Sequence, residues 1–73
     1  MPPLRVGSGR EVRAILEANG FVFARQNGSH IVMQKRGKEG SISLSVPDHK
    51  TLKIGTLSSI IRQSGLPREL FEK

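Results

Sequence analysis

His30 is the residue of this chain best suited to moving a proton, because an imidazole ionises near neutral pH and can act as acid or base. It follows directly on Asn27-Gly28-Ser29, between two apolar runs. Asn-Gly is a strong hairpin cue, since both residues tolerate the positive φ of a tight two-residue turn. A histidine on the strand leaving that turn is held at a rigid, solvated strand end. That is a sensible station for proton transfer. Taken alone, the same residue reads more readily as a surface histidine beside a turn. The second histidine, His49, follows Pro47-Asp48 and reads in the first instance as a loop residue.

The positions that could serve such a site are cationic. Twelve Lys and Arg against six acids give a net charge of +6 and a pI near 10.9. On a domain of 73 residues that charge attracts polyanions, either nucleic acid or an acidic protein. With no Trp or Tyr and three Phe, a broad aromatic platform for single-strand stacking is a poor fit. No cysteine is present, which excludes a disulfide framework and a thiolate metal site. The two histidines and six carboxylates show no metal-ligand spacing, so neither metal nor cofactor is expected. No apolar run approaches membrane-spanning length and no signal-peptide core is present, so no membrane partner is expected and the default location is the cytoplasm.

The elements that position these residues are legible from caps, turns and periodicity. Met1 to Val6 reads as an extended lead-in. Ser8-Gly9-Arg10-Glu11 has capping-box spacing, Val12, Ile15 and Leu16 follow at helical intervals, and Asn19-Gly20 ends the helix. Three strand-like runs come next: Phe21 to Gln26, His30 to Arg36, and Ser41 to Val46. The turns between them are Asn27-Gly28 and Gly37-Lys38-Glu39-Gly40. Ile54, Leu57, Ile60 and Ile61 form the stripe of a second helix from about Lys53 to Ser64, ended by Gly65. Gly55 inside it costs helix stability and marks close packing or backbone approach. Leu66 to Phe71 reads as a short final helical turn begun by Pro67. The expectation is one α+β domain over residues 1–73, with its core about 8–66.

A two-residue loop at Asn27-Gly28 sets Arg25 opposite His30, and a Gly37–Gly40 loop sets Arg36 opposite Ser41 and Ile31 opposite Val46. One sheet face then collects Val22, Ala24, Ile31, Met33, Ile42, Leu44 and Val46 for the helices to cover. The other collects Arg25, His30, Gln34, Arg36, Ser41, Ser43 and Ser45, with Phe21, Phe23 and Val32. One extra loop residue would move Phe21 and Phe23 to the core side.

The α-β-β-β-α order, with Gly28-Ser29-His30 after the first strand and Leu52-Lys53-Ile54-Gly55-Thr56-Leu57 opening the second helix, resembles the HicA toxin family. Glu11-Val12, Asn19-Gly20-Phe21, Arg25-Gln26 and Ile60-Ile61-Arg62-Gln63-Ser64-Gly65-Leu66 carry the resemblance across nearly the whole chain, from about Ser8 to Leu66. It implies a fold similar to the double-stranded-RNA-binding domain, with a three-stranded antiparallel sheet and two helices on one face. It also implies an mRNA-cleaving toxin whose histidine, here His30, is catalytic, and whose action arrests growth. A cognate HicB-like antitoxin would restrain it, covering the His30 face.

The residues are compatible with that chemistry. RNA cleavage without metal needs a base for the 2′-hydroxyl, an acid for the departing 5′-oxygen and cations for the developing phosphorane charge. His30 can serve as base or acid, with His49 or water in the other role. Arg25, Lys35, Arg36 and Lys38 can supply charge, Lys50 and Lys53 can contact phosphate near the second helix's start, and the Gly28-Ser29 amides can do so at the turn. The rival reading is a non-catalytic RNA-binding module of double-stranded-RNA-binding type, which works by shape and phosphate contacts and needs no reactive imidazole. His30-dependent activity separates the two.

Overall fold

The computed structural model describes Leu4 and residues 7–72. The elements are α1 (Gly9–Ala18), β1 (Val22–Asn27), β2 (His30–Gly37), β3 (Gly40–Pro47) and α2 (Ile54–Ser64), followed by a 3₁₀ turn at Arg68–Phe71. Of the expected lead-in, Met1, Pro2, Pro3, Arg5 and Val6 lie outside the described residues, and Leu4 forms an isolated antiparallel bridge with Glu72.

Helix α1 starts where its cap is strongest. The Ser8 hydroxyl accepts the Glu11 N–H at 3.2 Å, and the Glu11 carboxylate accepts the Ser8 N–H at 3.2 Å. Two amides that the helix cannot satisfy are thereby paired, which typically stabilises by about 1 kcal/mol. Helix α2 ends at Gly65, whose φ of 72° is the left-handed cap that glycine takes without penalty.

The three strands form one antiparallel sheet in the order β1-β2-β3. Ile31, Met33, Leu44 and Val46 alternate onto one face and pack with Val12 and Leu16 of α1 and Leu57, Ile60 and Ile61 of α2. Both helices therefore cover the same face, and the fold is the expected α+β arrangement. Removing one such large side chain to alanine typically costs about 2–5 kcal/mol. The second hairpin has the expected register, with Gly37 opposite Gly40, Arg36 opposite Ser41, Ile31 opposite Val46 and His30 opposite Pro47.

The first hairpin differs from the expectation in two ways. Asn27 pairs with His30, so the loop is Gly28-Ser29 rather than Asn27-Gly28, and Arg25 stands opposite Val32 instead of His30. Only Gly28 takes positive φ there (59°); no non-glycine residue does. A glycine at the first central position relieves Asn27 of the left-handed conformation that an Asn-Gly turn would demand. This shift keeps Arg25 on the face of His30. The second difference is a bulge between Phe23 and Arg25, which puts Phe23 opposite Met33 and Val22 opposite Gln34. The extra residue lies within the strand, at Ala24, rather than in the loop.

The bulge reverses the outer half of β1. Phe23 lies on the helix side with the Arg13 guanidinium 4.8 Å from its ring centre, and Phe21, just before the strand, is buried. Val22 lies on the open face and is 62% exposed, and Ala24 is exposed as well. Ile42 is on the helix side but only partly covered, beyond the reach of the helices. Ile54, expected in the stripe of α2, is 68% exposed, and Leu52 just before the helix takes a core position instead.

One corner ties these parts together. The Gly9 N–H donates to the His49 carbonyl at 2.9 Å, the Asp48 N–H to the Ser29 carbonyl at 2.6 Å, and the Leu52 N–H to the Gly7 carbonyl at 2.6 Å. The N-terminus of α1, the β1–β2 turn and the β3–α2 loop are thus bonded to one another through backbone. Gly9 makes this possible: a Cβ there would overlap the Pro47 carbonyl oxygen. His30 stands next to this corner, paired with Asn27 on one side and Pro47 on the other.

Candidate functional site

His30 is exposed at the first residue of the central strand and lines a shallow groove of about 490 Å³. Ser45 and Pro47 of β3 continue its wall, and Gly55, Thr56, Ser59, Ile60 and Gln63 of α2 form the other side. Among the described residues lining it, His30 is the sole ionisable side chain. The α2 wall consists of short or neutral polar groups, with the Gln63 amide donating to the Ser59 hydroxyl at 3.0 Å.

The N-terminus of α2 opens onto this groove. Lys53 precedes the helix in extended conformation and provides no side-chain cap, so the first-turn amides lack the partner that Ser8 gives to α1. A Cβ on Gly55 would meet nothing within 4 Å. The glycine is therefore not required by packing inside the chain, which answers the expectation of close packing in the negative. The room lies on the groove side, where an approaching molecule would find backbone rather than side chain.

The sequence-derived candidates divide into groups. Gly28 and Ser29 form the turn beside His30, and Arg25 shares its face. Lys50 lines a separate concavity of about 370 Å³ with Ser8, Arg10, Asp48 and His49. The two histidines thus line different concavities. Lys53 stands at the start of α2. Arg36 lies six residues along β2 from His30, about 20 Å at ~3.3 Å per residue. Lys38 occupies the β2–β3 hairpin beyond it, in a concavity with Lys35 and Ile42. Lys35 opposes Ile42 on the helix side, with its ammonium 5.7 Å from the ring centre of Phe21. It faces away from His30.

Thr56, Ser59 and Gln63 were not among the candidates. Their signal is a polar stripe at helical spacing beside the apolar stripe of α2, which only the docked helix reveals as a wall of the histidine's groove. Arg10 was also missed; it pairs loosely with Asp48 at 3.6 Å on the rim of the His49 concavity. Among the described residues, no three His, Asp or Glu side chains gather as a set of metal ligands. Among the described residues, no helix is long and apolar enough to cross a membrane.

A small α+β domain with two helices on one sheet face and an exposed histidine in a neutral groove is thus the class to be matched. A family model described as HicA toxin of bacterial toxin–antitoxin matches residues 9–66. The chain belongs to the HicA toxin family, and its role is that of the toxin in a toxin–antitoxin system. That membership implies a cognate antitoxin. A comparison with curated proteins gives no match.

Two glycines separate what the fold needs from what the groove needs. Gly9→Ala is expected to destabilise the chain by about 1–3 kcal/mol through overpacking against Pro47. Gly55→Ala is expected to leave stability unchanged or raise it by up to about 1 kcal/mol, as in an exposed helix. Urea denaturation of both variants is the measurement; a Gly55→Ala loss as large as that of Gly9→Ala would assign Gly55 to packing.

Proposed function

We propose that this toxin is an endoribonuclease that cleaves mRNA without a metal cofactor, with His30 as its proton-transfer residue. The observation that carries the reading is the groove in which an exposed imidazole faces the uncapped first turn of α2 across a neutral wall. His30 takes the proton of a ribose 2′-hydroxyl as the 2′-oxygen attacks the adjacent phosphorus. The bond from phosphorus to the 5′-oxygen breaks, and that oxygen leaves with a proton returned by the imidazolium or by water. The products are a 2′,3′-cyclic phosphate and a 5′-hydroxyl. Because the lining offers no second ionisable side chain, one histidine and solvent handle both proton transfers.

Charge in the transition state falls on the non-bridging phosphate oxygens. The uncapped amides at the start of α2, with Lys53 beside them, suit that charge by dipole and hydrogen bonding. Gly28 and Ser29 carry backbone close to the scissile position, and Arg25 grips RNA on the face of His30. Lys50 holds phosphate near the β3–α2 loop, while Lys35, Arg36 and Lys38 act farther off, at the other end of the sheet. Cleavage of mRNA then stops translation and growth. A non-catalytic RNA-binding role gains no specific support from the groove.

His30→Ala is expected to remove RNA cleavage and toxicity while changing stability by less than about 0.5 kcal/mol, as for an exposed side chain. Wild-type cleavage is expected to persist in excess chelator. Full cleavage by the variant, or complete loss of wild-type activity with chelator, would refute this mechanism.

The cognate antitoxin is HicB-like and covers the His30 face, because the exposed site has a basic surface and no lid among the described residues. Hydrogen exchange with and without the antitoxin is expected to show new protection around His30, Ser45 and Gly55. Protection confined to the outer surface of α1, with cleavage still blocked, would mean that inhibition acts elsewhere.

A further inference from the structure

Alternation along β2 puts His30 at one end and Arg36 at the other on the sheet face opposite the core, with α2 flanking the His30 end. Pairing aligns Arg25 of β1 with this row, and Ser41, Ser43 and Ser45 of β3 alternate onto the same face. None of the six carboxylates lies on any strand. Away from this face, Arg10 pairs with Asp48, Arg13 with Glu17 and Arg68 with Glu72. Arg25 and Arg36 have no ion-pair partner among the described residues. This face therefore carries two arginines and no strand carboxylate to repel a polyanion.

We propose that this open face is a track for single-stranded RNA, running from the cleavage site at His30 to Arg36. The inference rests on the ribonuclease reading above and adds to it the form of the substrate and the direction in which it lies. Three strands about 4.8 Å apart make a face roughly 10 Å across, wide enough for one RNA strand. Its length of about 20 Å demands several nucleotides beyond the scissile bond. Phe21 and Phe23 are on the other side, so the grip is not aromatic stacking. It comes from arginines on phosphate or base planes and from serine hydroxyls that can bond phosphate or 2′-hydroxyl groups.

The chemistry at His30 selects the same form of RNA. In-line attack needs the 2′-oxygen, phosphorus and departing 5′-oxygen brought towards one line, a geometry that an unpaired strand can adopt. A-form pairing holds the backbone in a regular stack instead. A duplex would have to be opened before it could react.

The test uses the full chain carrying His30→Ala, so that RNA is bound without being cut. Affinity is measured over a salt series for a single-stranded decanucleotide, the same RNA annealed to its complement, and a dinucleotide. The single strand is expected to bind at least about tenfold more tightly than the duplex. Adding Arg36→Gln is expected to weaken the decanucleotide about tenfold, as for one charged hydrogen-bonded contact. It is also expected to lower the salt slope by about one. The dinucleotide, too short to reach Arg36, is expected to be indifferent. Arg62→Gln, on the exposed side of α2, is the control. Equal or tighter duplex binding, or an Arg62→Gln effect as large as that of Arg36→Gln, overturns the proposal. Cleavage by the wild-type chain is followed in parallel. If it cuts RNA while these binding results reverse, only the track fails; if the binding results hold without cleavage, the ribonuclease reading fails and the track stands.

Discussion

The contact between Gly9 and the Pro47 carbonyl is the constraint on which the site depends. Only a residue without a Cβ lets the start of α1 reach the β3–α2 loop closely enough for the Gly9 N–H to bond the His49 carbonyl. The same loop receives the β1–β2 turn through the bond from Asp48 to Ser29. Segments far apart in sequence thereby hold His30 from both sides, at a strand end that would otherwise fray. The rest of the site follows from that corner, because the loop leaving it delivers α2 to the edge of β3 and so builds the opposite wall of the groove. In a small domain with a limited core, such backbone bonds position the candidate side chain without further apolar mass.

Most of the fold was legible because local chemistry and global arrangement agree. Ser8 and Glu11 announce the start of α1, Gly65 the end of α2, and the strict alternation from Ser41 to Val46 a strand buried on one side. The first hairpin was less legible for two physical reasons. Asn27-Gly28-Ser29 admits two turns of equal loop length, and the choice depends on which residue takes positive φ. The bulge at Ala24 is then set by burial of Phe21 and by the packing of Phe23 against Arg13 of α1. Those are tertiary contacts, and no pattern within β1 reports them.

The site was half legible in the same sense. His30 stands out by residue type and by its position after a turn, and Gly55 by being costly where it sits. What joins them is the docking of α2 beside β3, which places Thr56, Ser59 and Gln63 opposite the imidazole. Sequence distance hid this. The basic residues show the opposite problem: they look like one population in sequence, yet Lys35 and Arg36, adjacent in the chain, lie on opposite faces of the sheet.

In the proposed reading, a groove with one imidazole and otherwise neutral walls works by proton transfer assisted by backbone amides and nearby cations. That restriction has a signature in the product itself, independent of which RNA is cut or how it is held. The most direct measurement is the identity of the RNA ends after cleavage by the purified chain, read by mass spectrometry of the fragments. The account predicts a 2′,3′-cyclic phosphate on one fragment and a 5′-hydroxyl on the other. Fragments ending in a 5′-phosphate and a free 3′-hydroxyl would contradict it.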